Sequence, residues 1–162
     1  STIWAICVVP SSHSTSTSIM HTSHFKSLIT LMNNLRNWGV HYISNREIHP
    51  LDAVMFDIDD TLIFTNGNPN VPIIELLYQA RKMGYKIVII TARPGIGHVI
   101  RWTTEQLRDY KIPYDYLGFT SADTKGLMKK HLPYNFILSV GDLPTDLTDS
   151  KHALNISNFY HN

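Results

Sequence analysis

The spacing of apolar positions changes character near residue 53. Before it, Phe25, Leu28, Ile29, Met32, Leu35 and Trp38 recur at helical spacing. Thr22 and Ser23 offer an N-cap and Gly39 a C-terminal stop, so one amphipathic helix is predicted there. Ile3 to Val9 reads as a short strand ended by Pro10, Ser11 to Ser18 as a low-complexity flexible connector, and Val40 to Ile43 as a short extended piece. From residue 53 short apolar runs alternate with helical stripes. Strands are predicted at 53–58, 86–90, 114–119, 136–140 and near 154–159.

The helices between these strands carry their own punctuation. Asn70 caps one with Pro72 in its first turn; Ile73, Leu76, Leu77, Ala80 and Met83 form its buried stripe, and Gly84 ends it. Pro94 and Gly95 open a second, with Ile96, Val99, Ile100, Thr103, Leu107 and Tyr110 on one face. A third spans Asp123 to His131, and a short one lies near Asp146 to His152. Strict alternation of strand and helix predicts an α/β fold, a Rossmann-like three-layer sandwich with a mainly parallel sheet and right-handed crossovers. Residues 1–50 read as an N-terminal extension and 51–162 as the core domain.

Composition narrows the function. The chain has 162 residues, enough for one domain with a sizeable core. Its net charge of +1 gives no overall field for nucleic acid or an anionic membrane, so nucleic acid has no support from charge. Cys7 is the only cysteine, which rules out an internal disulfide and argues against a cysteine-based zinc site. The His residues are scattered without metal-ligand spacing. Ile3 to Val9 lacks a basic lead and is too short for a signal region or membrane span. The expected compartment is the cytoplasm, with a secreted form whose signal has been removed as the alternative.

Acidic residues are unevenly placed. Only Glu47 falls within the first fifty residues, whereas Asp57, Asp59 and Asp60 end an apolar strand in the stretch Val54 to Leu62. Three carboxylates there would repel one another and resist burial unless a cation or a chemical task held them. Polar residues also follow the later strands: Thr91 with Arg93, Lys125 at a helix start, and Asp142 with Asp146. In a parallel sheet these strand ends share one edge, where ligands of open α/β sheets bind. An oxygen-rich carboxylate set suits magnesium better than zinc, and a hydroxyl, a lysine and an arginine beside it can hold a phosphate dianion.

In this order the residues resemble the haloacid dehalogenase-like phosphohydrolases. Their Asp-x-Asp-x-Thr signature matches Asp57-Ile58-Asp59-Asp60-Thr61, with Asp60 where Gly is frequent. The Thr or Ser ending the next strand matches Thr91, the helix-opening Lys is best matched by Lys125, and the acidic motif matches Asp142 and Asp146 in GDLPTD. The resemblance covers residues 53 to about 158 and leaves the first fifty outside.

The resemblance implies an aspartyl-phosphate formed on Asp57, with Asp59 as general acid and then base. It implies magnesium held by Asp57, the backbone carbonyl of Asp59, and Asp142, with Asp146 as a further carboxylate on the metal side. Thr91 and Lys125 would hold phosphoryl oxygens. The Thr91-Ala92-Arg93 turn resembles the acid-phosphatase and polynucleotide-phosphatase branch, where such an arginine assists phosphate binding. Only residues 62–90 separate Thr61 from Thr91, and 92–124 separate Thr91 from Lys125, so no large cap domain is expected.

Bland readings stand beside these. Thr91 could be an ordinary strand-end hydroxyl, Arg93 a surface residue and Asp146 a helix cap, and the run Lys129-Lys130-His131 reads as a solvated face. The leading expectation is a magnesium-dependent phosphomonoesterase acting on nucleotides or other small phosphomonoesters. The alternatives are a polynucleotide 3′-phosphatase, for which Arg101, Arg108 and Lys111 are the sole basic support, and a non-catalytic phosphate- or partner-binding domain. Oligomeric state is left open.

Overall fold

The computed structural model describes residues 15–157. Five parallel strands form one sheet in the order β3-β2-β1-β4-β5: β1 (Asp52–Phe56), β2 (Lys86–Thr91), β3 (Tyr116–Phe119), β4 (Asn135–Gly141) and β5 (His152–Asn155). The helices are α1 (Thr15–Ile43), α2 (Val71–Met83), α3 (Gly97–Asp109) and α4 (Lys125–His131), with 3₁₀ turns at Ala122–Thr124 and Pro144–Asp146. Among the described residues no helix is long and apolar enough to cross a membrane.

Alternation along β1 and β2 builds two cores. Val54, Phe56, Ile87 and Ile89 face the larger one, shared with residues of α1, α2 and α3. Ala53, Met55, Val88 and Ile90 face the other, where Met128 of α4 and Leu132 pack. Apolar side chains on both faces are why the central strands read as continuous hydrophobic runs. The sheet is thus sandwiched between helices, the three-layer α/β arrangement that the sequence predicts.

The boundaries of α2 follow its punctuation. Pro72 lies in the first turn, and Gly84 closes the helix in the left-handed region at φ 109°. Asn70 occupies the N-cap position without a side-chain cap bond. Its Nδ2 instead donates to the Thr61 carbonyl at 2.9 Å, tying the loop after β1 to the start of α2.

The N-terminal region departs from expectation. The helix begins before Thr22, runs through residues 15–18 of the expected connector, passes Gly39 and ends at Ile43, so Val40 to Ile43 are helical rather than extended. Gly39 is no stop; it is a contact. A Cβ there would sit 2.5 Å from Leu76 Cδ2, so the missing side chain lets α1 lie close against α2. Met32, Leu35 and Ile43 are buried in the main core, and Arg36 pairs with Glu75. Trp38, expected on the buried stripe, is 54% exposed beside His41 and Tyr42. The expected strand at Ile3 to Val9 and residues 11–14 lie outside the described residues.

Because Leu76 is fully buried and cannot swing away, Gly39→Ala is expected to lower stability. The overlap should outweigh the better helix propensity of alanine and cost about 1 kcal/mol net. A urea midpoint equal to or above the wild type's would show that the two helices can part at no cost.

The C-terminal end also differs in detail. The helix expected near Asp146 to His152 is only the 3₁₀ turn at Pro144–Asp146, and the last strand begins at His152 rather than Leu154. Residues 158–162 lie outside the described residues.

Candidate active site

Asp57 directly follows β1 and is 5% exposed. Its amide donates to the Val140 carbonyl at 3.0 Å, which holds it beside the end of β4. One carboxylate oxygen accepts from Lys125 Nζ at 2.8 Å, the other from the Thr61 hydroxyl at 3.2 Å. Lys125 is itself 1% exposed and reaches Asp146 Oδ1 at 2.5 Å with the same ammonium group. A residue opening α4 thus bridges acids from two separate strand ends.

Asp146 is fully buried, and its second oxygen accepts from the Leu143 amide at 3.1 Å. Gly141 makes room for it: a Cβ on that glycine would lie 2.3 Å from Asp146 Cβ. Glycine at the end of β4 is what allows the loop to fold its acid back onto the strand.

Asp57, Asp142 and Asp146 each place a carboxylate oxygen within 4.8 Å of the others. Burial pushes the Asp57 carboxyl well above its ordinary range; Lys125 opposes this, while Asp146 and Asp142 reinforce it. Burial likewise raises Asp142, with Asp146 adding to the rise and Asp57 opposing it. Lys125 is held above its ordinary value, because Asp57 and Asp146 outweigh the opposing effect of its burial. One ammonium does not balance three acids.

Among the described residues, Asp142 Oδ1 is moreover buried with no hydrogen-bond partner. A surplus of negative charge, an orphaned buried oxygen and an all-oxygen donor set fit a hard divalent cation. Asp57, Asp142 and Asp146 are the residues placed to hold one.

Asp59 lies apart from this cluster. Its side chain is 57% exposed and forms a two-point pair with Arg93, at 2.9 Å and 3.1 Å. Any part it takes in holding a cation therefore falls to its backbone, while its carboxylate faces the mouth of the site. Arg93 is 8% exposed, and its Nη1 donates to Thr103 at 3.1 Å and Gln106 at 2.8 Å. Trp102 lies over the guanidinium, 4.5 Å from Cζ to ring centroid. Thr91 is fully buried, and its hydroxyl oxygen accepts the Arg93 amide at 3.1 Å.

The three lysines separate clearly. Lys125 meets the carboxylates, and Lys130 is exposed and lies 3.5 Å from Asp149. Lys129, expected on a solvated face, is 2% exposed. Its ammonium donates to Ser139 Oγ at 2.9 Å and to the Asp146 and Thr148 carbonyls, both at 2.6 Å. Burial pushes it down to about 8. A basic run at a helix end looks solvated in sequence; the short helix and the loop folded over it decide otherwise.

Three contributors had no stated role. Thr61 braces the Asp57 carboxylate, and its place in the Asp-x-Asp-x-Thr run was the available signal. Asp60 adopts φ 61° and accepts from the Thr65 amide and hydroxyl at 2.9 Å and 2.7 Å, closing the loop. Left-handed backbone explains why glycine serves there too. Lys129 carried no local signal.

Fold and site together define an open parallel α/β domain with a buried acidic centre at its carboxyl edge. Over residues 54–113 the chain matches the haloacid dehalogenase-like hydrolases. It is 30% identical over 112 residues to the Bacillus subtilis (strain 168) protein described as "Putative phosphatase YxeH". That alignment takes in 66% of this chain and 41% of the relative, so the chain spans about two fifths of the relative's length. Among solved structures, a chain of the Pnkp1/Rnl/Hen1 complex matches with a TM-score of 0.51 at 22% identity. The match covers 63% of this chain and 42% of that one, a likeness of fold.

Proposed function

We propose that this chain is a magnesium-dependent phosphomonoesterase that works through an aspartyl-phosphate on Asp57, with nucleotides or other small phosphomonoesters as substrates. The observation that carries the reading is Asp57 itself. It is a buried carboxylate braced by Lys125 and Thr61, flanked by Asp142 and Asp146, with the exposed Asp59 nearby in the chain and paired to the buried Arg93. The match of residues 54–113 to the haloacid dehalogenase-like hydrolases and the relative described as a phosphatase support it. The chemistry is assigned to residues 51–162, with residues 1–50 as an extension.

Asp57 attacks phosphorus as the leaving oxygen departs on the far side. Lys125 and the Thr91 hydroxyl hold phosphoryl oxygens, and charge stabilisation in a water-poor site is the larger part of the rate gain. An incoming phosphoryl group draws the Arg93 guanidinium to itself. That frees the Asp59 carboxylate to take up a proton from solvent, give it to the leaving oxygen, and later take one from the water that hydrolyses the aspartyl-phosphate. Magnesium held by Asp57, Asp142 and Asp146 would supply positive charge against the repulsion between carboxylate and phosphate.

Arg108 and Lys111, part of the basic support for a polynucleotide substrate, line a separate depression of about 400 Å³ with Tyr78 and Arg81. It lies toward the C-terminal end of α3, away from the acidic centre.

Hydrolysis of p-nitrophenyl phosphate is expected with millimolar magnesium and to fall to background in EDTA, recovering when magnesium is restored. Beryllofluoride, a mimic of the aspartyl-phosphate, should bind only with magnesium present. A folded protein showing neither turnover nor beryllofluoride binding would sink the reading.

A further inference from the structure

We propose that Trp102 is a specificity-determining residue that stacks on a flat aromatic group carried by the leaving alcohol, so that nucleoside monophosphates are the favoured substrate class. The inference rests on the phosphomonoesterase reading above and adds to it the side of the site where the alcohol is recognised.

Asp57 lies at the floor, 5% exposed, and Asp59 at the mouth, its side chain 57% exposed. In an in-line displacement the leaving oxygen departs away from Asp57, toward the acid that protonates it. The body of the alcohol therefore lies on the Asp59 side. Arg93 is the neighbour there, and Trp102 lies over Arg93, so the indole and the general acid share one guanidinium as their neighbour.

The ring is held, and it is open. Arg93 Nη1 is held by Thr103 and Gln106, bonds that remain when a phosphoryl group replaces Asp59 at Nε and Nη2, so the surface that supports the indole does not drift. One face of the ring is spent on the guanidinium, yet the residue remains 55% exposed, which leaves its other face to solvent. An exposed tryptophan anchored beside a reactive centre is a ready stacking platform. Stacking of a base on an aromatic side chain is sequence-tolerant, so the platform would accept any nucleobase.

A plainer role is open to Trp102, that of a cover for Arg93. The two roles separate when one leaving alkoxide is offered with and without a base. Adenosine 5′-monophosphate and ribose 5-phosphate form that pair.

The first measurement is binding to the full chain with magnesium, read for both ligands by competition with beryllofluoride. The wild type should bind adenosine 5′-monophosphate about tenfold more tightly than ribose 5-phosphate. Trp102→Leu should erase that difference and leave ribose 5-phosphate affinity, read by competition with beryllofluoride, within about twofold. Trp102→Phe should keep part of it. In turnover the same preference should reside in KM rather than kcat.

Equal affinity of the wild type for the two ligands overturns the proposal. So does an equal loss on both in Trp102→Leu, the signature of a cover for Arg93. Base-selective binding that Trp102→Leu abolishes, in a protein that hydrolyses neither ester, would leave the stacking site standing and sink the phosphatase reading alone.

Discussion

Asp57→Asn is expected to lower phosphomonoester turnover by at least about a thousandfold while leaving the fold intact, because removing a nucleophile removes the covalent route itself. Its effect on stability should run the other way. The Asp57 carboxyl is held well above its ordinary value, first by burial. A carboxyl raised on folding binds its proton more tightly in the folded state, so stability falls as pH climbs from the unfolded value through the folded one. Asparagine carries no such penalty.

In EDTA, Asp57→Asn should therefore gain thermal stability relative to the wild type as pH rises from 4 to 7. Magnesium should narrow that gap, because the cation relieves the repulsion that burial creates. Lys125 keeps Asp146 as its partner in this variant, which is why the loss of one acid is tolerated. A variant that is less stable than the wild type at pH 7 without metal would mean that the Lys125 pair outweighs the burial penalty. Turnover within tenfold of the wild type would remove Asp57 from the mechanism.

Lys125→Met is expected to damage stability and activity together. The ammonium is 1% exposed and neutralises two buried acids at 2.8 Å and 2.5 Å. Taking away one partner of a buried ion pair leaves uncompensated charge, at a cost of about 3 kcal/mol or more. Methionine fills the space, so lost packing contributes little. Adding magnesium should recover part of the stability, since a cation can take up the freed carboxylates, but it should not restore turnover, because the donor to the phosphoryl oxygens is gone. Denaturant melts with and without magnesium, beside a phosphatase assay, would show this. Lys130→Met serves as the contrast: an exposed lysine 3.5 Å from its acid should change stability by no more than about 0.5 kcal/mol.

Much of this protein is written locally. Residues 53–56 and 87–90 are continuous apolar runs because both sheet faces are buried, and that alone implies a parallel sheet with helices on each side. The carboxyl edge follows from the same rule, and from it the sequence predicts that Asp57, Thr91, Lys125 and Asp142 converge there. Gly84 marks a helix end because its backbone must turn left-handed.

Other features have no local cause. Gly39 carries the same letter as Gly84, yet it lies within a helix because Leu76 of a second helix approaches it. Lys129 looks like surface until the loop after β4 closes over it. Arg93 and Asp59 are joined across two strand ends, and nothing in either neighbourhood announces the other. The sequence alone determined the alternation of elements, the edge that carries the chemistry and the residue types available to it. The tertiary structure decided which acids come within reach of one another, which acid pairs with arginine, which lysine is buried and which tryptophan is left open. The physical reason is that periodicity and turns act over a few residues, whereas burial and charge pairing depend on segments that meet only when the chain is folded.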